Sequence, residues 1–124
     1  MNMSESIQAA RFGEIERTAN GGAVMMFRFA AEQPVFGGHF PGHPILPGVF
    51  QLEMARVAAE CALGGALTVR EITKAKFRRP ILPMETIRLE LKLSAAGETT
   101  QARAVFTVDG QPAGEVLLQL VSCS

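Results

Sequence analysis

The sequence predicts an α+β fold, one apolar helix enclosed by a curved antiparallel sheet, and three observations carry that expectation. In "TIRLELKL", Ile87, Leu89, Leu91 and Leu93 alternate with Arg88, Glu90 and Lys92, the period of two expected of a half-buried strand. One convincing helix, Val49 to about Leu63, follows Pro47-Gly48, is rich in Ala, Leu and Met, and stops at Gly64-Gly65. Its charged residues are Glu53, Arg56 and Glu60, a single narrow stripe, and the rest reads as apolar. A helix that apolar has to be wrapped, and five or six strands are available to wrap it.

The strands follow in order. "RFGEIERT" is a weak strand, and "AVMMFRFA" after "NGG" a better one. Beyond the helix, "VREITKAKFRRPIL" is a long extended segment that Pro80 and Pro83 confine to a sheet edge or a strand end. "TIRLELKL" comes next, then a turn in "AAGETT", then "QARAVFTV". Asp109-Gly110 in "DGQPAG" is a hairpin signal leading into "EVLLQLV". No repeat or linker interrupts residues 1–124, and that length fits one domain burying roughly two-thirds of its unfolded surface.

Composition narrows the class. The hydrophobic share is 48% and all the aromatics are Phe, a globular chain with an aliphatic core. Basic and acidic residues number 12 each, which gives no reason to expect nucleic acid. No apolar run approaches a membrane span, and "MNMSESIQAARF" lacks the apolar region of a signal peptide, so a cytoplasmic location is expected. Cys61 and Cys123 have no metal-ligand spacing, and Cys61, in the apolar helix, reads as a core residue.

One stretch does not look like core packing: "FGGHFPGHPILPGVFQLEMA", Phe36 to Ala55. Pro41, Pro44 and Pro47 recur every three residues, with Gly42 after the first and Gly48 after the last, a rigid path that backbone and ligand can approach closely. His39 and His43 are four apart, but "FPG" between them forbids a helix, which argues against a shared metal. By residue type alone His39 is either a hydrogen-bonded structural residue or a catalyst. Glu53 lies in the second turn of the helix that the histidine's own loop enters. It is either one member of a solvated stripe with Arg56 and Glu60, or an acid brought to the same cleft as a base. The first free N–H groups of the helix would stabilise an oxyanion there.

"GHFPGHPILPGVFQLE" closely resembles the signature of the 3-hydroxyacyl-acyl carrier protein dehydratases of fatty acid synthesis, the FabZ and FabA type, in which this loop leads into the central helix of a hotdog fold. "KAKFRRPILPMETIRLELKL" resembles the same family's strand pair, and the two blocks together cover 36 of the 124 residues. The resemblance implies a lyase that removes water from a 3-hydroxyacyl thioester to give the trans-2-enoyl thioester. It places His39 as the base, Glu53 as the acid, Gly48 as the N–H donor to the thioester carbonyl, and Val49 as the carbonyl orienting the histidine. It also implies a cis peptide at His39–Phe40; Phe36, Phe40 and Phe77 either line the acyl tunnel or belong to the core, and Lys74, Lys76, Arg78 and Arg79 either dock the carrier protein or form an ordinary charged strand face. His43 falls on a position the signature leaves open and is expected to be structural or at the rim of the site. No cofactor or metal is implied, the substrate arriving as a phosphopantetheine thioester. The partners implied are an acyl carrier protein and a second copy of the chain, since His and Glu of one site come from different subunits. A trimer of dimers, the acyl length, and carrier protein against coenzyme A stay open.

The chain also departs from the family. Its N-terminal block is not replaced convincingly by "QAARFGEIERT", the turn reads "PMET", and Arg56 stands where a small residue is usual and Val57 where glutamine is. Arg56 is three residues after Glu53 and would hold it ionised. A divergent member is therefore expected, with a hotdog thioesterase and a non-catalytic acyl-carrier-binding module as the alternatives.

Overall fold

The computed structural model describes residues 2–37 and 44–123. His39, Phe40 and His43, and with them the expected cis bond, lie outside the described residues.

Alternation builds the sheet. Ile87, Leu89 and Leu91 are buried while Arg88 and Lys92 are exposed, and the pattern repeats at Ala102, Ala104, Phe106 and Val108, then at Val116, Leu118 and Leu120. The described residues form six strands, β1 (Arg11–Arg17), β2 (Ala23–Arg28), β3 (Leu67–Phe77), β4 (Thr86–Ala96), β5 (Thr99–Val108) and β6 (Gln111–Ser122). They run in the order β1-β2-β4-β5-β6-β3, every neighbouring pair antiparallel. The apolar face curls around the long helix, which touches all six strands. This is the hotdog fold. Asp109 and Gly110 both have positive φ, the backbone that a two-residue hairpin with strand-matched twist requires.

The chain has a second helix that the sequence reading passed over. α1 (Met3–Ala10) is eight residues long, too short to show a periodic stripe, but it starts with a capping box. The Glu5 N–H donates to Asn2 Oδ1 at 2.8 Å, and the Asn2 N–H donates to Glu5 Oε1 at 2.9 Å. Ile7 and Ala10 join the core, so this segment covers part of the wrapped helix.

α2 (Gly48–Leu63) is the wrapped helix. Pro47 is its N-cap, with no side-chain cap, and Gly64 ends it at φ 79°, its N–H donating to the Glu60 carbonyl at 2.8 Å. Met54, Ala55, Val57, Ala58 and Ala59 are almost wholly buried, and Phe50 meets Phe29 edge-on at 6.0 Å between ring centres. Cys61 is half-buried and packs against this core, its Sγ accepting from Arg11 Nη1 at 3.3 Å. No helix among the described residues is long and apolar enough to cross a membrane.

β3 ends at Phe77, before Pro80 and Pro83, and it is also an edge strand, so both of the positions left open by those prolines apply. It pairs with β6 along one side, and from Arg70 to Phe77 every residue is exposed. Ile72 and Phe77 are half exposed, at 50% and 49%, on a strand that has no second neighbour among the described residues.

Candidate active site

A cleft of about 490 Å³ opens where the first turn of α2 meets the far end of β3. Ile45, Leu46, Pro47, Gly48 and Gln51 form one wall, and Phe77, Arg78, Arg79 and Pro80 the other. The Leu46 N–H donates to the Ile81 carbonyl at 2.8 Å, pinning the loop's exit to the segment after β3. The first N–H groups of a helix have no partner within it, and Gly48, the first residue of α2, lines the cleft. A Cβ on Gly48 would come within 2.6 Å of Phe77 Cε2, so glycine is what lets the ring lie against the helix end. The cleft thus combines an apolar wall with a helix N-terminus that favours a developing negative charge.

Glu53 does not line this cleft. Its Oε1 accepts from Arg56 Nε at 2.9 Å and closely from Arg56 Nη2, an ion pair with both side chains about one-quarter exposed or less. Arg56 Nη1 meets Glu60 Oε2 at 2.7 Å, and the same Glu60 oxygen accepts the Leu67 N–H at 2.8 Å. The stripe read from the sequence is therefore a connected cluster joining α2 to the start of β3. The Arg56 guanidinium is held above its ordinary pKa, first by the hydrogen bond to Glu53, against the opposing effect of burial. Within one chain the cleft and this carboxylate occupy different stretches of the helix.

The other predicted residues divide. Val49 is exposed at 51% beside the cleft. Phe77 lines the cleft, whereas Phe36 is half-buried against the core. Lys74 pairs with Glu115 at 2.9 Å and Arg79 with Glu85 at 2.8 Å, so these two cations are already countered. Lys76 and Arg78 are exposed and make no ion pair among the described residues.

The helix is not apolar apart from its charged stripe. Gln51 is 2% exposed, its Oε1 has no hydrogen-bond partner among the described residues, and it presses on Gly114 of β6 so closely that a Cβ there would collide with it. A buried amide oxygen without a partner among the described residues is costly. The signal in the sequence was one uncharged polar residue among apolar ones, passed over because it carries no charge.

Comparison with known proteins bears on this geometry. A family model described as ApeI-like, ApeI dehydratase, matches residues 15–115. A 3-hydroxyacyl-acyl-carrier-protein dehydratase FabZ of a Wolbachia species of Drosophila simulans is 35% identical over 97 residues, covering 72% of this chain and 68% of that one. The FabZ of Pelotomaculum thermopropionicum is 36% identical over 104 residues, covering 77% and 74%. Some curated relatives are matched over only half their length, as with the 49% of the FabZ from Alkaliphilus metalliredigens. Among solved structures, the dehydratase heterocomplex ApeI:P from Xenorhabdus doucetiae superposes with a TM-score of 0.75 at 26% identity, over 87% of this chain and 94% of that one. The E. coli PaaI protein, at 16% identity and a TM-score of 0.68 over 90% and 79%, shares the fold.

Proposed function

Because the chain belongs to the ApeI-like dehydratase family and is related to the FabZ hydro-lyases, we propose that it eliminates water from a 3-hydroxyacyl thioester to give the trans-2-enoyl thioester. The observation that carries this reading is the cleft over the N-terminus of α2, floored by Gly48 and walled by Phe77. The proton on C2 is only weakly acidic, so its removal needs a base near neutrality and a donor for the enolate oxygen. His39 is the proposed base, the Gly48 N–H the donor, and Val49 the carbonyl orienting the imidazole. Glu53 assists departure of the 3-hydroxyl. Phe77 is proposed to border the acyl tunnel, with Phe36 and Phe40 contributing from the loop side.

The separation of Glu53 from the cleft supports a site shared between two copies. β3 is exposed along its outer edge, and an open edge with apolar side chains invites pairing with another strand. Antiparallel pairing about a twofold axis would set the Phe77 end of one β3 beside the Leu67 end of the other. The cleft of one subunit would then face the Glu53 cluster of its partner. The substrate is read as a phosphopantetheine thioester on an acyl carrier protein, acting in the cytoplasm in fatty acid or related lipid or polyketide-like synthesis. Lys76 and Arg78, without an ion pair among the described residues, are the preferred docking cations for that acidic partner. Lys74 and Arg79 would have to exchange their glutamates to take part.

The test is incubation with 3-hydroxyacyl thioesters of several lengths, on carrier protein and on coenzyme A, with mass spectrometry for loss of water. Water should be lost from at least one length by the unaltered chain and not by His39→Ala. Release of free thiol without enoyl product would instead identify a thioesterase.

A further inference from the structure

We propose that Gln51 closes the inner end of the cleft and so sets the longest acyl chain that the site accepts. The proposal rests on the dehydratase reading above and deepens it by naming the residue that limits the substrate. Of the residues lining the cleft, Gln51 is the least exposed, at 2%. It stands three residues after Gly48, one turn along the same face of α2. A thioester carbonyl held at the Gly48 N–H therefore has an exposed neighbour in Val49 and a buried one in Gln51. The carrier arm needs the exposed side, so the acyl chain runs towards the glutamine.

Gln51 cannot be pushed deeper. Its amide lies against Gly114 of β6, where a Cβ would meet Gln51 Oε1 closer than van der Waals contact allows and Gln51 Cδ at 3.2 Å. Glycine at this position is what makes room for the glutamine between α2 and the β3–β6 pair. The side walls are fixed as well: the Leu46 N–H donates to the Ile81 carbonyl, and the Arg78 N–H to the Ala113 carbonyl at 2.9 Å. Beyond the glutamine, the same face of α2 continues as Ala55 and Ala58, both wholly buried. Interiors are packed to crystal density, so an acyl chain that reaches this side chain stops there.

The limit is one of bulk. A single methylene in a closed hydrophobic pocket is worth about 10–200-fold in discrimination, so a fixed floor gives a sharp break between accepted and rejected lengths. Shortening the side chain of Gln51 lowers the floor and moves the break to longer chains. Crowding the glutamine from below, with a methyl group in place of the Gly114 hydrogen, raises the floor and moves the break to shorter ones. Opposite shifts from the two sides of one contact are not expected of a residue that only supports the fold.

The experiment measures kcat/KM for a ladder of 3-hydroxyacyl-coenzyme A thioesters of increasing length. Beside it runs calorimetric binding of the saturated acyl-coenzyme A series, which has no hydroxyl to lose. In Gln51→Ala, the first length rejected by the unaltered protein should gain about 10-fold or more relative to the last one accepted. Gln51→Asn, which keeps the amide on a shorter side chain, should give a smaller shift in the same direction, and Gly114→Ala a shift the other way. Gln51→Met keeps the volume without the amide and should leave the break at the same length, whatever it does to the rate. Circular dichroism reports whether each variant folds, and if Gln51→Ala does not, the Gln51→Asn shift decides. A break that stays in place in the folded, shortened variants would overturn the proposal, and so would one moved equally by Gln51→Met. If the unaltered protein removes no water from any thioester, the dehydratase reading fails and the binding series decides: an affinity break that the shortened variants move supports the proposal, and the absence of such a break overturns it.

Discussion

Phe77 lies across Gly48, its Cε2 and Cζ 2.6 and 2.8 Å from where a Cβ on that glycine would stand. The contact joins the first turn of α2 to the last residue of β3 and forms one end of the cleft. Glycine is required here by close approach, since Gly48 is not among the residues with positive φ.

Gly48→Ala should therefore impair activity more than folding. The added methyl pushes the half-exposed ring aside or tilts the helix end, and a displacement of about 1 Å at a reacting group is worth up to about 10²-fold in rate. Circular dichroism should show the fold retained, and Gly48→Ala combined with Phe77→Ala should recover part of the loss. Equal rates for Gly48→Ala and the unaltered protein would remove this N–H from the mechanism.

Deuterium exchange tests whether, in the proposed reaction, removal of the C2 proton is separable from loss of water. His39→Ala should abolish both dehydration and exchange of the substrate's C2 proton with solvent deuterium. Glu53→Gln should slow dehydration by roughly 10²–10⁴-fold while some exchange survives, provided that the enolate forms before the hydroxyl departs. Exchange that disappears in both variants would indicate a concerted elimination.

Gln51 and Gly114 are coupled by contact. Gly114→Ala would drive a Cβ into Gln51 Oε1 and to 3.2 Å from the Lys76 carbonyl, destabilising the protein by about 1–3 kcal/mol, the usual range for overpacking. Gln51→Met removes the unpaired oxygen at similar volume and should be near neutral or stabilising. Thermal unfolding of the two single variants and the double variant measures the coupling, and additive effects would disprove it.

Acid should weaken the β3–β6–β5 region through Glu115. Its carboxyl is lowered from 4.5 to about 2, chiefly by the hydrogen bond from Lys74 and next by that from Arg103. A lowered carboxyl contributes stability that is fully present above its unfolded value and is lost as pH falls towards the folded one. The stability difference between the unaltered protein and Glu115→Gln should be constant above about pH 5 and shrink between about pH 4.5 and 2. Denaturant unfolding across that range checks it, and a difference independent of pH would show that the pair does not act through ionisation.

The open edge of β3 should be closed in solution. Light scattering at micromolar concentration should give a dimer or a multiple of one, and Ile72→Asp, which places a charge on that apolar edge, should shift it to monomer with loss of activity. A monomeric, fully active unaltered protein would refute the shared site.

The sequence by itself determined the fold class, because period-two alternation in β4, β5 and β6 and one helix apolar along most of its length leave few ways to bury both. It also determined the hairpin at Asp109-Gly110, since positive φ at two successive residues selects those residue types, and that β3 stops before Pro80 and Pro83, which cannot continue a ladder. The stripe of Glu53, Arg56 and Glu60 was legible as three charges on one helix face. Tertiary structure decided what those charges do. Arg56 becomes a hub only because Leu67, eleven residues on, brings its backbone N–H and carbonyl to the same face, and no local spacing encodes that return of the chain. The burial of Gln51 against Gly114, and the neutralisation of Lys74 by Glu115, likewise depend on how β6 runs beside β3. Local periodicity reports which face of an element is dry, whereas the partner of a polar group is set by packing across the sheet, between residues far apart in the chain.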